Sequence, residues 1–585
     1  MTAKLLENIR LVSLMPLMFQ AFQSRYIHMD ITAAMVCPEW QAGRVIAFWP
    51  QANPAIAIGL ERGIPYDWRT AAPASGARSG LAEVAPAPEK YHELSSSFPP
   101  DTARMFWRVF PSVMLPIFMA VGDQTIVSSA LPAIAGALGD VERVSWIVIG
   151  YLIASTIAAP VYGYLGDIFG RRRLLFLALA IFMTGSVLNS LAPTVTLLAA
   201  SRFLQGLGGG GLMSMAQALL AEVIPPRERG RYQGYNATVF VTASALGPVL
   251  GAFLTVQFGW RAVFFINIPV GILAFLLALR LPDRRGAARQ GWSFDFPGLL
   301  FFVAFIVPLL IALEQLRRMD AAGMTLVVAL VALSVVSLVL LLRQERRTQS
   351  PLLPVDLMRQ TAVWNSQLMI VGHGAMMTAL LAFLPLFMRV TNIGSVQDVG
   401  VALLIFSAAI AASSIIVGRL VSRTGLTMVF PAIGMTFATG ILVWFAFNAS
   451  TLSRNGLFMS MAAIAFSMGS VMSVCQVTVQ NAAGRKLLGA ASGSIQLART
   501  VGAVFGTALF ATILFAWLAM RDPEAAKQFG AILNQGADAL KQFPPGRAAA
   551  ISNSIAEGFR AAFLMLACLA TISTLLAWFN PSRRI

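Results

Sequence analysis

Charge is scarce in this sequence. Only 12% of its 585 residues are Asp, Glu, Lys or Arg, whereas 57% are hydrophobic. Soluble domains are about half apolar and carry charge on about a quarter of their residues. The apolar residues fall in repeated runs of about twenty, the length at which a helix crosses the hydrocarbon core of a bilayer. The composition therefore excludes an ordinary soluble protein and predicts an all-α polytopic membrane protein.

Histidine and cysteine are also rare, with three residues of each. An integral membrane enzyme needs His, Asp or Glu side chains clustered at an interface, and two of the histidines, His28 and His92, lie far from the apolar runs. The cysteines, Cys37, Cys475 and Cys568, have no metal-ligand spacing. We therefore expect a protein that is not an enzyme and that uses no metal or other cofactor.

A nucleotide-binding signature is missing as well. The glycine run at 208–211 lies inside an apolar segment without a following Lys-Ser or Lys-Thr, so it is not a phosphate-binding loop. ATP is therefore disfavoured as the energy source. The net charge of +17 does not indicate nucleic acid, because the excess Lys and Arg lie in short loops between apolar runs. That pattern is typical of cytoplasmic loops that face an anionic leaflet.

Residues 1–104 differ from the rest of the chain. Pro, Ala, Ser and Gly are common over 54–100 and no helical period persists, which predicts a disordered N-terminal extension. Lys4 and Arg10 flank the start of an apolar run at 11–22 that faintly resembles a signal peptide, but the run is too short to span a membrane. An alternative is a start codon placed too far upstream, with Met105 as the true start.

From residue 110 onward, the apolar runs predict about fourteen membrane-spanning helices. We assign an N-terminal six-helix bundle to 105–282, an inserted two-helix linker to 283–350 and a C-terminal six-helix bundle to 351–585. The predicted spans are 110–136, 145–165, 174–192, 196–223, 232–257, 260–281, 297–315, 324–343, 362–388, 398–421, 427–447, 456–479, 489–518 and 559–579.

Arginine placement predicts the orientation. Loops rich in Arg and Lys, such as 171–173 and 227–231, alternate with poorer loops, although Arg317 and Arg318 are an exception. The positive-inside rule makes the richer side cytoplasmic, and an even number of helices puts both termini there. The long segment 521–558 then lies outside, and its amphipathic stretch at 532–543 could cap the outer vestibule, meet a partner or be inert.

An internal repeat links the two predicted bundles. Gly163, Leu165 and Gly170 recur as glycine, leucine and glycine 255 residues later, but Ser422 replaces the aspartate of the first copy. A second pattern has the same offset, since glycines at 234, 247 and 251 recur at 489, 502 and 506. Both repeated loops are predicted to be cytoplasmic, so the two halves run parallel, as in transporters with repeats about an axis along the membrane normal.

Three stretches resemble motifs of the major facilitator superfamily. One is similar to its glycine–aspartate–arginine loop between the second and third helices, one to its fourth-helix arginine motif and one to its fifth-helix antiporter motif. Ile168 departs from the first motif, where many members carry a basic residue. The matching residues are Gly163, Gly166, Asp167, Gly170, Arg171 and Arg172 for the loop, Arg202 and Gln205 for the fourth helix, and Gly247, Pro248 and Gly251 for the fifth.

Other residues resemble the fourteen-helix drug:proton antiporter branch of that family (EmrB/QacA type). Asp123 opens a stretch similar to its first-helix motif, Asn267 lies in a second similar stretch, and Gln496 and Arg499 lie in a third. The resemblance, which covers about 110–580, implies a major facilitator fold and proton-driven export of small amphiphilic molecules across the cytoplasmic (inner) membrane. It also implies small-molecule, proton and lipid partners, and a periplasmic adaptor of a tripartite pump as a further partner. Alternatives are a dedicated exporter of one endogenous metabolite or siderophore and a transport-dead receptor.

Asp123 and Arg202 are the candidate proton-coupling residues. Asp123 lies within the first apolar run, where burial disfavours its ionised form and would let it exchange a proton near neutral pH. Arg202 stays charged and needs a partner, for which Asp123 is the obvious candidate. The alternatives are an aspartate that faces water at a helix break beside Gly122 and an arginine that snorkels to the interface.

The loop with Asp167, Arg171 and Arg172 is the candidate gating latch. Its aspartate can accept backbone N–H bonds at the N-terminus of a helix from the other half, in one access state only. An arginine cluster that only sets topology is the alternative. The antiporter motif combines a proline kink with close glycine packing, and it could either open a cavity or simply let helices pack. Secondary candidates are Gln205, Gln496, Arg499, Glu222, Glu314 and His373, and the cavity should be lined by some of the 39 Phe and 26 Met residues.

Overall fold

The computed structural model describes residues 102–584, apart from 141–142, 282–293, 316–320, 349–350, 354, 392 and 527–542. The predicted N-terminal extension up to 101, the basic linker, Arg317, Arg318 and most of the stretch at 532–543 lie outside the described residues. Within them all regular structure is helical, and the one isolated bridge joins Leu426 to Arg584.

Sixteen α-helices are described along the chain, and they are numbered here in order. The first nine are α1 (Thr102–Leu138), α2 (Ser145–Phe169), α3 (Arg171–Leu191), α4 (Val195–Val223), α5 (Arg229–Phe258), α6 (Ala262–Phe265), α7 (Asn267–Ala278), α8 (Phe296–Gln315) and α9 (Ala321–Glu345). The others are α10 (Val355–Met358), α11 (Thr361–Val390), α12 (Val396–Thr424), α13 (Val429–Asn448), α14 (Arg454–Ala483), α15 (Leu488–Arg521) and α16 (Pro545–Trp578).

Twelve of the described helices are long and apolar enough to cross a membrane. The prediction of an all-helical membrane protein is therefore confirmed, whereas the count of fourteen is not. Helix α4 is 29 residues long but rich in glycine and polar residues, which lowers its hydropathy. The span predicted at 260–281 is instead the two short helices α6 and α7. Pro269 explains the break, because it cannot donate to the carbonyl of Phe265, where α6 ends.

The last helix is longer than predicted. Helix α16 begins at Pro545, so part of the loop predicted at 521–558 is helical. Its first turns carry Arg547, Asn553 and Glu557, which kept this stretch out of an apolar run. Proline suits the first turn of a helix, where its missing N–H would have no intrahelical partner.

The same helix pairings occur in both halves of the described chain. In the first half α1 packs on α5, and α4 packs on both α2 and α3; in the second α11 packs on α15, and α14 packs on both α12 and α13. Across the halves α2 packs on α15 and α5 packs on α12. These are equivalent contacts if the halves repeat each other, in agreement with the internal repeat in the sequence.

Each half has its own apolar core. Phe182 and Leu212 belong to the core of the first half, and Phe387, Phe510 and Phe563 belong to the core of the second. Helices α8 and α9 pack on each other, and α8 also contacts α2 and α15. Helix α9 leaves most of its apolar side chains exposed, as expected for a helix that faces lipid. The polar residues described next lie within and between the two cores.

Candidate functional site

Asp123 lies on α1 in the interior of the first half, with 1% of its surface exposed. Three side chains donate hydrogen bonds to its carboxylate: Arg202 Nη1 to Oδ2 at 2.5 Å, and Asn267 Nδ2 and Gln205 Nε2 to Oδ1 at 2.7 and 3.0 Å. Helix α1 continues through this position without a break. The carboxylate therefore does not face water here, and the alternative of a solvated aspartate at a helix break does not apply.

Arg202 lies on α4, also 1% exposed, so it does not snorkel to the interface. Besides Asp123, its guanidinium donates to the carbonyl of Ile147 at 3.3 Å and to Gln205 Oε1 at 2.6 Å, and it lies 4.3 Å from the centre of the Tyr151 ring. A buried ion pair is tolerated when its remaining hydrogen-bonding groups find partners, and removal of one member leaves a costly lone charge.

A polar network extends from this pair into α3. Gln205 Nε2 donates to Ser186 Oγ at 2.7 Å, and Asn189 Nδ2 donates to Gln205 Oε1 at 2.6 Å. Ser201 Oγ in turn donates to Asn189 Oδ1 at 2.6 Å. Gln205 is thus a central member of the network, which fixes the rotamers of both charged residues. The roles of these partners were not predicted from the sequence. Ser186 and Asn189 appear there only as isolated polar residues in an apolar run, and Asn267 only as part of a stretch that resembles the antiporter branch.

Asp167 lies at the end of α2, where it contacts the start of α15. Its Oδ1 accepts a hydrogen bond from the Gly489 N–H at 2.8 Å, and its Oδ2 accepts one from the Ala490 N–H at 2.9 Å. These amides belong to the first turn of α15, where backbone N–H groups have no intrahelical partner and a negative charge is stabilised. Asp167 therefore joins the two halves at their predicted cytoplasmic end.

Arg171 extends the same contact. It donates to Asp167 Oδ1 from Nη2 at 2.6 Å, to Glu222 Oε2 from Nη1 at 2.6 Å and to the carbonyl of Arg485 at 2.9 Å. Glu222 is thus an ion-pair partner at the end of α4 rather than an isolated charge in a loop. Arg172 does not join this group, because its guanidinium donates to the carbonyl of Leu279 within the first half, at 2.9 Å.

The glycines of the internal repeat meet across the interface between the halves. A Cβ atom on Gly163 would collide with the carbonyl of Gly489, and one on Gly489 would collide with the carbonyl of Gly163. Gly418 in the second copy faces Gly230 in the same way. Gly170 has φ = 100°, in the region that favours glycine, and it separates α2 from α3. The repeated glycines therefore permit close backbone contact at two related places.

The second copy of the loop lacks the acidic contact. Ser422 is half-buried, and its hydroxyl donates to the carbonyl of Arg419 in its own helix at 2.9 Å. Gly166 packs against Met215, where a side chain would displace the methionine sulfur. Of the two loop copies, the first thus has a carboxylate that contacts the other half, and the second does not.

The antiporter-like motif lies on α5 against α1. A Cβ on Gly247 would collide with Thr125, and one on Gly251 would collide with Ser129 and the backbone of Ile126. Pro248 lies inside the helix between these two contacts. Thr125 is two residues from Asp123, so the glycines bring α5 close to the buried pair.

A cavity opens between the two halves, lined by α4 and α5 on one side and by α11, α12, α14 and α15 on the other. Its volume is about 840 Å³ when its opening to solvent is included. Gln496, Arg499 and His373 line it, and His373 Nδ1 has no hydrogen-bond partner. Apolar lining comes from Phe240 and the methionines at 213, 377 and 472. Glu314 lies elsewhere, near the end of α8.

No metal centre is visible in the part of the chain that the structure describes, which holds no group of three or more His, Cys, Asp or Glu residues suited to a metal ion. The polar groups divide instead into the buried network around Asp123, the contact around Asp167 and the lining of the cavity.

Comparison with known proteins yields consistent matches. A family profile described as Major Facilitator Superfamily matches residues 113–507. An uncharacterized MFS-type transporter of Mycobacterium tuberculosis is 31% identical over 480 residues, or 80% of this chain and 68% of the relative. The multidrug transporter protein MdtP of Bacillus subtilis is 29% identical over 403 residues, or 69% and 74% of the two chains. The proton:xylose symporter XylE has a similar fold, with a TM-score of 0.52 at 16% identity over 83% of this chain and 98% of its own.

Proposed function

The chain belongs to the major facilitator superfamily, and on this basis we propose that it exports small amphiphilic compounds in exchange for protons by alternating access. Some of its relatives are named as multidrug transporters or efflux pumps, which supports the direction of transport. We place it in the fourteen-helix branch, with α4 and the α6–α7 segment as the two spans beyond the twelve apolar ones. In this proposal it lies in the cytoplasmic membrane with both termini inside.

The contact between Asp123 and Arg202 is the observation that carries the proposal. A carboxylate at this depth is expensive unless it is paired, and protonation removes its charge. Arg202 would then retain only neutral partners, the carbonyl of Ile147 and the amide of Gln205. Proton binding thus weakens the link between α1 and α4. Because the pair is closed to solvent here, proton exchange requires another conformation that opens it to water.

The contact around Asp167 supplies the second element of the proposed cycle. Its hydrogen bonds from Gly489, Ala490 and Arg171 hold the predicted cytoplasmic ends of the halves together. Hydrogen bonds to charged groups contribute about 1.5–3 kcal/mol each. The cavity must open to the cytoplasm to load its substrate, so these bonds must break and re-form in every cycle. The structure described here therefore corresponds to the state closed on that side.

Uptake into everted vesicles, whose outer face is the cytoplasmic one, tests the proposal. Fluorescent amphiphiles of both charges, such as ethidium and anilinonaphthalene sulfonate, are added outside, and a pH gradient with an acidic lumen is imposed. We expect gradient-driven transport by the wild type, its loss in Asp123→Asn, and its retention in Asp140→Asn, which alters a half-exposed carboxylate in the loop after α1. Unchanged transport in Asp123→Asn would remove this residue from the mechanism. Transport that needs ATP and resists an uncoupler would overturn proton exchange altogether.

A further inference from the structure

The lining of the cavity between the halves carries a net positive charge. Among its described lining residues, Arg499 carries the only formal charge at neutral pH, and no aspartate or glutamate is present. The other polar groups are amides, such as Gln217, Gln233 and Gln476, and serine hydroxyls. Gln476 donates to Gln217 across the halves, so two of these amides already satisfy each other. The cavity therefore presents one positive charge in a neutral, largely apolar wall.

Arg499 differs from Arg202 and Arg171 in its lack of an acidic partner. Arg202 and Arg171 each bind a carboxylate at about hydrogen-bond distance, 2.5 and 2.6 Å. Within the described part of the chain, no carboxylate lies within ion-pair distance of Arg499. Its guanidinium instead lies 4.6 Å from the centre of the Phe240 ring. A guanidinium has five N–H donors, and that of Arg499 lines the cavity without a hydrogen bond to another described residue.

Arg499 lies where the two halves meet. Arg499 lies on α15 in the second half, whereas Phe240 lies on α5 in the first. A planar anionic group can form two parallel hydrogen bonds with a guanidinium, and an attached aromatic body can pack on the phenylalanine. His373 supplies one more unpartnered polar atom on the same lining. A ligand of this kind would therefore contact both halves at once.

The low polarity of the cavity wall favours an anionic ligand over a cationic or neutral one. A charge of either sign interacts more strongly in such a cavity than in water. A cationic ligand would meet the repulsion of Arg499 with no carboxylate to offset it, and a neutral one would leave the guanidinium without an ionic partner. An anion would neutralise it.

We propose that the cavity binds organic anions that combine a carboxylate or sulfonate with an aromatic or apolar body, and that Arg499 binds the anionic group. This inference rests on the export function proposed above, and it specifies the class of the exported compound. Arg499, which lines the cavity, would recognise the negative charge of the ligand. This residue is distinct from the buried pair of Asp123 and Arg202.

Equilibrium binding to the full-length protein in lipid nanodiscs tests the inference without any pH gradient. The probes are three compounds with the same ring system, namely naphthoate, the neutral naphthamide and the cationic naphthyl-trimethylammonium. The variants are Arg499→Gln and Arg499→Lys, with Arg521→Gln as the matched control. Arg521 lies at the far end of the same helix against Trp517 and does not line the cavity.

We expect the wild type and Arg521→Gln to bind naphthoate about tenfold more tightly than naphthamide, since one charge-assisted contact has that effect. Arg499→Gln should lose this preference but still bind naphthamide, which also demonstrates that the variant is folded. Arg499→Lys should retain part of the preference, because it keeps the charge and loses the paired geometry.

Equal or tighter binding of the neutral or cationic probe by the wild type would overturn the inference, as would an anion preference that survives in Arg499→Gln. No measurable binding of naphthoate would overturn it too. These failures remain separate from failure of the export proposal, since gradient-driven transport of ethidium that depends on Asp123 would still support proton-coupled export.

Discussion

Gly163 and Gly489 face each other across the two halves, so that a Cβ atom on either would collide with the carbonyl oxygen of the other. This backbone contact brings the first turn of α15 to Asp167, which accepts the N–H groups of Gly489 and Ala490. The glycine pair and the aspartate thus hold the same ends of the two halves together. A change in either should open the molecule at its predicted cytoplasmic end.

The first prediction concerns the glycine pair. Gly489→Ala forces α15 away from α2 and lengthens both hydrogen bonds to Asp167. We expect the population to shift by at least about tenfold towards the state open to the cytoplasm, because crowding of a packed contact costs about 1–3 kcal/mol. Labelling of Ser492→Cys, a residue of the cavity lining, by an impermeant thiol reagent in everted vesicles measures the shift.

Gly440→Ala is the control for that experiment, since a Cβ at this position would meet nothing within 4 Å. With Gly440→Ala present, the reagent should label Ser492→Cys as fast as it does in the otherwise unchanged protein. If Ser492→Cys is labelled at that same rate with Gly489→Ala present, the glycine contact does not control access to the cavity from the cytoplasmic side.

The second prediction compares the two copies of the repeated loop. Asp167→Asn replaces one carboxylate oxygen by an NH₂ group, which would face the backbone N–H of Gly489 or Ala490. The loss of a charge-assisted bond costs about 1.5–3 kcal/mol, so we expect transport to fall by about tenfold or more. Ser422→Ala removes only a bond within its own helix, and it should leave transport near the wild-type rate.

Rates of proton-driven uptake into everted vesicles, normalised to the amount of inserted protein, measure this difference. Both variants should insert equally well, because neither changes an arginine of the loop. Equal effects on transport would reduce the loop at 163–173 to a topology signal.

The third prediction concerns the buried ion pair. Arg202→Leu leaves Asp123 without its positive partner, and removal of one member of a buried pair costs about 3–5 kcal/mol. The double variant Asp123→Asn with Arg202→Leu has no lone charge, so it should recover much of that stability while remaining inactive in proton-driven transport. Thermal unfolding in nanodiscs measures both effects.

Arg172→Gln is the comparison for this experiment, since Arg172 is half-buried and its guanidinium donates to a backbone carbonyl rather than to a carboxylate. It should lower the free energy of unfolding by about 1 kcal/mol, less than Arg202→Leu does. A double variant less stable than Arg202→Leu would show that the two residues do not act as a pair.

The fourth prediction concerns the contact between α1 and α5. Gly247→Ala pushes α5 away from Thr125, close to Asp123. We expect slower proton-driven transport, with a loss of about 1–3 kcal/mol in stability from overpacking. Gly136→Ala on α1 is the matched control, because a Cβ there meets nothing within 4 Å. Wild-type transport by Gly247→Ala would show that close packing at this glycine is not needed for function.

The charged residues of the core could be found from the sequence, and their neutral partners could not. Asp123 and Arg202 stand out because a charge in an apolar run is expensive and therefore conspicuous. Ser186 costs far less in such a run, and nothing distinguishes it until the folded helices bring it close to the carboxylate. Asn267 lies in a stretch that resembles the antiporter branch, but its bond to Asp123 is visible only in the fold. The same limit applies to the cavity: Phe240 is one of 39 phenylalanines, and only the packing shows which of them faces the centre.

The helices were predictable wherever hydropathy alone determines them. The span predicted at 196–223 matches α4 to within one residue, although the glycines and polar side chains of this helix keep it out of the twelve most apolar ones. Hydropathy failed for the segment broken before Pro269, which it read as one span. Arg499 illustrates a further limit, since a sequence shows that an arginine is present but not whether a carboxylate reaches it. That distinction decides which ligands the cavity takes.

The lone charge of Arg499 also has an electrical consequence. When the barrier moves from one side of the cavity to the other, the transmembrane field shifts relative to this charge. A full crossing of the field by one charge corresponds to about 2.3 kcal/mol per 100 mV. A bound anion cancels the charge, so the substrate-free carrier, which returns with its proton, is more sensitive to voltage than the substrate-loaded one. An inside-negative membrane potential would therefore speed the return of the protonated, substrate-free carrier.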